Sequence, residues 1–331
     1  MTLADVAAAA GVHASTVSRA LSRPDLVNAR TLARVTDAVE RLGYVPNRAA
    51  RQLAGGPTQT LAMLVPDITN PFFSGVVQAA QRRAHADGRL VLLADTAQDA
   101  ATEIEAVRSL APNVDGLVLC APVAPTAAVV QAAVGRPVVF VNRRARAVAS
   151  VVIDPEATVA RALDHLGALG HERIAALLGP PGYWSSKQRE RALRRHAGVV
   201  LVAPTEPTFD GGRQTLRAVV AAQVTAVVAF NDLMALGLIA AANEAGLDVP
   251  GELSVVGADG VTLGAMTRPP LTTVAVDLEQ LGDAAMTLLV AGIDGAPAGS
   301  GDRGDRTDRL PRVERTIAPQ LVVRGSTAAA R

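Results

Sequence analysis

From Thr60 to Val141, and again from Ile174 to Gly257, short apolar runs alternate with segments of helical period, and nothing else restricts this chain's fold as tightly. In the first series the runs are Leu61 to Val65, Leu90 to Ala94, Gly116 to Cys120 and Val138 to Val141, with helical patterns over 75–86, 102–110 and 129–134 between them. In the second they are Ile174 to Leu178, Val199 to Ala203, Ala226 to Ala229 and Leu253 to Gly257, with helices expected over 159–169, 187–196, 214–222 and 233–245. A strand–helix rhythm of this kind predicts parallel sheets covered by helices on both faces, here two similar doubly wound lobes. The 331 residues leave room for two lobes of roughly 110 to 150 residues and a separate headpiece. Ligands of such sheets bind beyond the carboxyl ends of the strands. The polar residues just after the strands therefore become candidates: Asp67, Asn70, Asp95, Asn142, Arg143, Asp154, Asn231, Asp232 and Asp259. Any one of them could simply cap a helix; as a set they point to a cleft.

The first fifty residues have a different pattern. Thr2 is placed to cap a short helix with Asp5 as its box partner, and Leu3, Val6, Ala7 and Ala10 recur at helical spacing before Gly11 ends the run. A second helix is expected over Ala14 to Leu21, with Val17, Ala20 and Leu21 on one face and Ala14, Ser15, Thr16 and Arg19 on the other. A third starts at the N-cap residue Asn28, carries Leu32, Val35, Val39 and Leu42 on one stripe, and stops at Gly43. Helix, glycine turn and helix at this spacing predict a helix-turn-helix whose second helix enters the major groove. Arg19 could donate to guanine, Ser15 and Thr16 could bond bases or phosphates, and Ala14 could meet a thymine methyl. From Met1 to Gly56 seven arginines face Asp5, Asp25, Asp37 and Glu40, a surplus of three positive charges, whereas the whole chain carries only +1. The positive charge is concentrated where phosphates would lie.

Leu3-Ala4-Asp5-Val6-Ala7, Gly11-Val12, Thr16-Val17-Ser18-Arg19, Gly43-Tyr44-Val45-Pro46-Asn47-Arg48 and Leu53-Ala54 together resemble the LacI/GalR family of bacterial transcription regulators. The resemblance implies that Pro46 to Ala54 forms a hinge helix that folds on DNA, with Leu53 wedging into the minor groove at the operator centre. It extends the candidate DNA contacts to Thr2, His13, Ala14, Ser15, Thr16, Ser18, Arg19, Asn28, Thr31, Tyr44, Asn47, Arg48, Gln52, Leu53 and Ala54. His13 is a departure, standing where the family usually has a serine that caps the reading helix. In the body, Asn70-Pro71-Phe72-Phe73, His165-Leu166 with Leu169-Gly170-His171, Asn231-Asp232 with Met234 to Gly237, Ser254 to Gly257 and Pro269 to Thr273 resemble the family's effector domain. That domain is similar to periplasmic sugar-binding proteins, two lobes closing on a small ligand. Carried over residue by residue, the resemblance places Arg189 on the arginine that holds effector hydroxyls or carboxylates, and Asn231 and Asp259 on polar contacts. Phe72, Phe73 and Trp184 would be aromatic walls, with Asn70, Asn142 and Arg143 as further effector contacts. Such a set suits a sugar or related polyol, and would also accommodate a nucleoside or an organic acid. Asp154-Pro155, Thr158 and Gly260 depart from the family pattern around the cleft.

The fold expected is an all-α helix-turn-helix headpiece followed by a two-lobed α/β domain of the periplasmic-binding-protein type with parallel doubly wound sheets. The headpiece should span 1–46 and the hinge 47–56. The first lobe should comprise 58–152 with about 276–300, the second 153–275 with about 310–325. Residues 292–312, rich in Gly, Asp, Arg and Pro, read as a surface loop. No apolar run reaches the length of a membrane span, and the start lacks a basic region followed by a hydrophobic one, so a cytoplasmic protein is expected. His13, His85, His165, His171 and His196 show no metal-ligand spacing, there is no GxxxxGK[ST] loop, and Cys120 lies in an apolar run, so no metal, nucleotide or other cofactor is expected. No heptad tail follows the last strand, and a homodimer on a near-palindromic DNA operator is the expectation, with a small effector as its other partner. A ligand-controlled repressor is the leading function. A solute-binding protein is the competing reading from another class, and an enzyme lacks any nucleophile, base and orienter at motif spacing.

Overall fold

The computed structural model describes residues 1–22, 26–44, 57–146, 148–294 and 314–331. They form two compact units, Met1–Thr58 and Gln59–Arg331. The predicted hinge segment lies outside the described residues.

The first unit contains α1 (Leu3–Ala10), α2 (Ala14–Ser22) and α3 (Ala29–Leu42). Thr2 and Asp5 form the expected capping box: the Asp5 amide donates to Thr2 Oγ1 at 3.3 Å and the Thr2 amide to Asp5 Oδ2 at 2.7 Å. Gly11 reverses the chain at φ 60°, where a Cβ would come within 2.6 Å of the Arg34 guanidinium. Arg34 uses that space to donate to the Ala10 and Gly11 carbonyls, tying the turn to α3. Val6, Val17 and Val35 are fully buried at the point where the three helices meet, with Ala7, Ala10, Ala20, Ala38 and Tyr44 around them.

The second unit holds two six-stranded sheets. The first comprises β1 (Thr60–Val65), β2 (Leu90–Asp95), β3 (Gly116–Cys120), β4 (Val138–Val141), β5 (Ala149–Ile153) and β11 (Glu314–Ile317), in the order β11-β5-β4-β3-β1-β2 with every pairing parallel. The second comprises β6 (Ile174–Leu177), β7 (Val199–Val202), β8 (Ala226–Val228), β9 (Ser254–Asp259), β10 (Thr272–Ala275) and β12 (Gln320–Val322), in the order β12-β10-β9-β8-β6-β7, with only β12 antiparallel. Around the first sheet lie α4 (Pro71–Ala86), α5 (Ala100–Leu110), α6 (Thr126–Ala132) and α12 (Leu278–Asp294). Around the second lie α7 (Pro155–Ala168), α8 (Trp184–Leu193), α9 (Phe209–Gln214), α10 (Leu216–Ala221) and α11 (Asp232–Glu244). Both faces of the first sheet are apolar: Leu61, Met63, Val118 and Val139 join one core cluster, while Ala62, Leu64, Leu117 and Phe140 join another. This two-sided burial is the reason the strands read as unbroken apolar runs.

Four boundaries correct the sequence reading. β5 and β10 are strands that the alternation did not include. Residues 314–317, assigned with 310–325 to the second lobe, pair with β5 in the first sheet. β11 is an edge strand with Ile317 as its one buried residue, so it has no apolar run to betray its partner. α12 continues past Gly292 to Asp294 because Ile293 still packs on the first core, and one glycine does not break a helix held by packing. The single helix expected over 214–222 is preceded by another, α9, whose Gly212 faces α11 at close range. A Cβ on Gly212 would stand 2.1 Å from the Met234 carbonyl oxygen, and one on Gly237 1.9 Å from that of Phe209, so these positions let two helix backbones touch.

The chain passes between the two sheets three times: between β5 and α7, between β10 and α12, and through residues 318–319 between β11 and β12. Among the described residues no helix is long and apolar enough to cross a membrane.

Candidate effector cleft and DNA-reading surface

The parallel strands of both sheets deliver their following residues to one cleft enclosing about 470 Å³, open to solvent. The first sheet contributes Asp67 and Asn70 after β1, Gln98 after β2, Ala121 after β3 and Asn142 after β4, while Phe72 and Phe73 come from the first turn of α4. The second contributes Tyr183, Ser185 and Arg189 after β6, Pro207 after β7, Phe230 and Asn231 after β8, and Asp259 at the end of β9. Four of these have left-handed or otherwise positive φ without being glycine: Gln98 (59°), Ala121 (44°), Asn142 (58°) and Asp259 (125°). Conformations of that sort cost energy and persist where surrounding structure holds the backbone for another purpose.

Arg189 is the central polar group. Its Nη1 donates to the Phe230 carbonyl at 2.6 Å, its guanidinium carbon lies 5.2 Å from the Phe230 ring centroid, and its Nε is buried without a hydrogen-bond partner. Across the cleft, Asn142 Oδ1 is likewise buried and unpartnered. An orphan buried donor and an orphan buried acceptor each cost about 1–3 kcal/mol, and a ligand carrying both functions would recover that loss.

Two carboxyl groups sit behind Arg189. Burial, reinforced by Asp232, pushes Asp259 well above the usual carboxylate range, with Arg189 opposing. Burial pushes Asp232 up to about 6, although Thr273 Oγ1 (2.6 Å), the Val261 amide (2.8 Å) and the Gly260 amide (2.9 Å) all donate to it. Burial also lowers the pKa of the Arg189 guanidinium, with Asp259 and Asp232 offsetting part of that.

Seven of the nine predicted effector residues thus line one cavity: Asn70, Phe72, Phe73, Asn142, Arg189, Asn231 and Asp259. Two of them also cap helices. Asn70 Oδ1 accepts from the Phe72 amide at 3.0 Å, and Asn231 accepts from the Met234 amide while donating to the Pro207 carbonyl, both at 2.8 Å. Arg143 and Trp184 are corrections. Arg143 turns away from the cleft to donate to the Pro122 and Ala124 carbonyls and to Thr126 Oγ1, beside the buried Glu103. Trp184 is half-buried outside the lining with Arg144 5.7 Å from its ring. Its neighbour Tyr183 takes the inward direction and stacks on Phe230 at 6.4 Å, and successive residues at a helix start diverge by roughly 100°. Gln98, Ala121, Tyr183, Ser185, Pro207 and Phe230 were missed, though each lies shortly after a strand of the sheets. Asp154, whose following proline looked like a change in the cleft, caps α7 by accepting from the Glu156 and Ala157 amides and does not line the cavity.

In the headpiece, α2 buries Val17 and Ala20 and leaves Ser15, Ser18 and Arg19 exposed, with Ala14 and Thr16 half-buried. His13 stands in the cap position: its carbonyl accepts from the Thr16 amide at 2.8 Å, its Nδ1 lies 3.3 Å from the Ser15 amide nitrogen, and Nδ1 is also 2.9 Å from Ser15 Oγ. Thr2 and Asn28 cap α1 and α3 from exposed positions, and Thr31 is half-buried. Tyr44 is a correction to the DNA-contacting set. The left-handed Gly43 returns the chain onto α3, the Tyr44 amide donates to the Val39 carbonyl at 3.0 Å, and the residue is buried in the headpiece core. Asn47, Arg48, Gln52, Leu53 and Ala54 lie outside the described residues. Among the described residues no group of three or more His, Cys, Asp or Glu could hold a metal ion.

The family model for bacterial regulatory proteins of the lacI family matches residues 2–47, and that for a periplasmic binding protein-like domain matches 163–327. The HTH-type transcriptional repressor CytR of Escherichia coli K12 is 32% identical over 99% of this chain and 96% of its own length. The crystal structure of the Lac repressor dimer bound to operator and the anti-inducer ONPF superposes with TM-score 0.79 at 28% identity, covering 99% of each chain. A LacI family regulator from Enterococcus faecalis V583 with bound ribose gives TM-score 0.73 at 28% identity over 82% of this chain and 100% of its own. A helix-turn-helix headpiece joined to a two-lobed binding body, matched along its full length by named regulators, makes this chain a member of the LacI family of bacterial transcriptional regulators.

Proposed function

We propose that the protein acts as a homodimeric repressor that reads a near-palindromic operator through α2 and releases or grips it according to a sugar or related polyol held in the cleft. The unpartnered Arg189 Nε and Asn142 Oδ1 carry the effector half of this reading, because a hydroxyl can accept from the one and donate to the other. The aromatic side chains Phe72, Phe73, Tyr183 and Phe230 offer flat surfaces to the apolar face of a sugar ring. The exposed Ser15, Ser18 and Arg19 on α2 support the operator half. The operator-bound Lac repressor dimer and the ribose-bound Enterococcus regulator are the relatives in which the two halves are occupied.

Coupling requires the ligand to prefer one arrangement of the dimer over the other. In this reading the cleft supplies that preference, and the predicted hinge over 47–56 transmits it. The test is selection of operators from random DNA by the full chain, followed by binding assays with and without sugars. A two-fold symmetric site is expected, with affinity altered by at least one sugar. Arg19→Ala should relax discrimination at one base position by about 1–3 kcal/mol. Equal discrimination by the variant would remove Arg19 from the reading surface.

A further inference from the structure

We infer that the cleft selects against anions, so that its effector is an uncharged ring-bearing polyol, free sugar or nucleoside, and neither a phosphorylated sugar nor an organic acid. The inference rests on the cleft being the effector site and narrows the class of molecule it takes. Among the described residues lining it, Arg189 is the one cation, and it shares the lining with two acids, Asp67 and Asp259. Nε of the guanidinium is open to a ligand, but the rest of the group is already partly engaged. Nη1 is committed to the Phe230 carbonyl, one face lies against the Phe230 ring, and its charge is set against Asp259 and Asp232.

Further acids stand close behind the opposite wall. Asp67, Glu103 and Asp95 all act on Tyr183, after burial the main influences that hold its hydroxyl protonated. The nearby arginines do not balance them at the cavity. Arg143 is spent on the Pro122 and Ala124 carbonyls and on Glu103, and Arg144 pairs with Glu314 beside Trp184. Helix N-termini would favour an anion, and α4, α8 and α11 all begin at the cleft. Two of them already hold side chains: Asn70 accepts from the Phe72 amide of α4, Asn231 accepts from the Met234 amide of α11, and Asp232 sits in the first turn of α11. The start of α8 has no side-chain cap, leaving one partial positive charge against Asp67 and Asp95, joined by Asp232 when it is ionised, while burial moves Asp259 and Glu103 toward their neutral forms.

The test uses matched pairs on the full chain: D-ribose against D-ribose 5-phosphate, D-glucose against D-glucose 6-phosphate and D-gluconate, and uridine against its 5′-monophosphate. Thermal shift finds the binding members, and calorimetry gives their Kd. In every pair that binds, the neutral member should bind at least tenfold tighter, and Asp67→Asn should narrow that ratio severalfold. The sugar pairs against the nucleoside pair identify the source of the ring. A charged member that binds as tightly as its neutral partner, or a ratio unmoved in Asp67→Asn, overturns the inference and leaves the cleft as the effector site. Failure of every neutral member to bind overturns the inference together with the reading on which it rests.

Discussion

Replacing Arg189 by methionine separates the role of this side chain in binding from its role in folding. The substitution removes one hydrogen bond from a charged donor to the Phe230 carbonyl, worth about 1.5–3 kcal/mol. Against this loss, the buried unpartnered Nε disappears, and that atom costs about 1–3 kcal/mol. The two acids behind it lose their counter-charge, but burial raises the pKa of both, so either can take up a proton in place of the lost cation. A methionine stem would also meet Val159, Leu193 and Phe230, which border the inner side of Arg189. The net change should be within about 2 kcal/mol, a fall in Tm of a few degrees at roughly 2–4 °C per kcal/mol for a domain of this size. Ligand stabilisation is affected far more. A sugar at a hundred times its Kd stabilises the wild type by about 2.7 kcal/mol, and the variant should show almost none of that shift. Thermal melts with and without sugar read both numbers, and an operator-binding assay checks that the ligand-free protein still holds DNA. A variant that retains the wild-type shift refutes the assignment of Arg189 to the ligand. A fall of more than about 4 kcal/mol would mean that the guanidinium is needed as a buried counter-ion, and that the acids do not adjust their protonation as argued.

Asp232 gives a pH prediction. Its folded pKa of about 6 lies above the ordinary 3.8, so its protonated form is favoured by folding; the stability it contributes is full below about 4 and is lost as pH rises through about 6. The displacement sets an upper bound of about 3 kcal/mol. Asp232→Asn keeps a neutral group there at all pH values, with its amide oxygen facing the Gly260 and Val261 amides and its nitrogen turned to Thr273 Oγ1. Urea midpoints between pH 4 and 7 should then decline less in the variant, and parallel curves would show that Asp232 is not the group titrating. In the headpiece, His13→Ser should stabilise α2 by about 0.5–1 kcal/mol, since a serine hydroxyl caps at closer range than an imidazole 3.3 Å from the Ser15 amide. A lowered headpiece melting temperature would show that the His13 ring does more in the fold than cap.

The parts of the fold legible in the sequence were those with strong local patterning. Central strands such as Leu61 to Val65 are buried on both faces and read as unbroken apolar runs, and the helix ends at Gly11 and Gly43 need a residue tolerant of positive φ. Edge strands were harder, because β11 buries one residue in four and its parallel partner β5 lies more than 150 positions away in the chain. The cleft divides in the same way. Residues that combine polarity with a strand-end position, such as Asn142, Asn231 and Asp259, were legible, whereas Arg189, on α8, was reached only through the family resemblance. Phe230 and Tyr183 were not legible, since an aromatic residue beside a strand end looks like core until the opposite lobe is in place. The resemblance offered Trp184 as an aromatic wall, and one step along a helix start makes its neighbour Tyr183 the residue that faces inward. Tyr44 shows the same limit in the headpiece: the glycine before it folds the chain back, and only the three-dimensional turn makes its ring part of the core.

The three passages of the chain between the sheets bear on how specificity can be inherited. The first sheet takes its strands from 60–153 and 314–317, and the second from 174–275 and 320–322, so neither lobe is a continuous stretch of gene. One recombination crossover cannot exchange one lobe for a relative's and leave the other whole; it would split β11 from β5, or α12 from the sheet it covers. Change of effector must therefore accumulate through substitutions at scattered strand ends, each accepted against an opposite wall that was already fixed. The headpiece is different, because 1–58 is a single contiguous unit, and one exchange near residue 58 would move a complete DNA-reading surface onto an unaltered sensor.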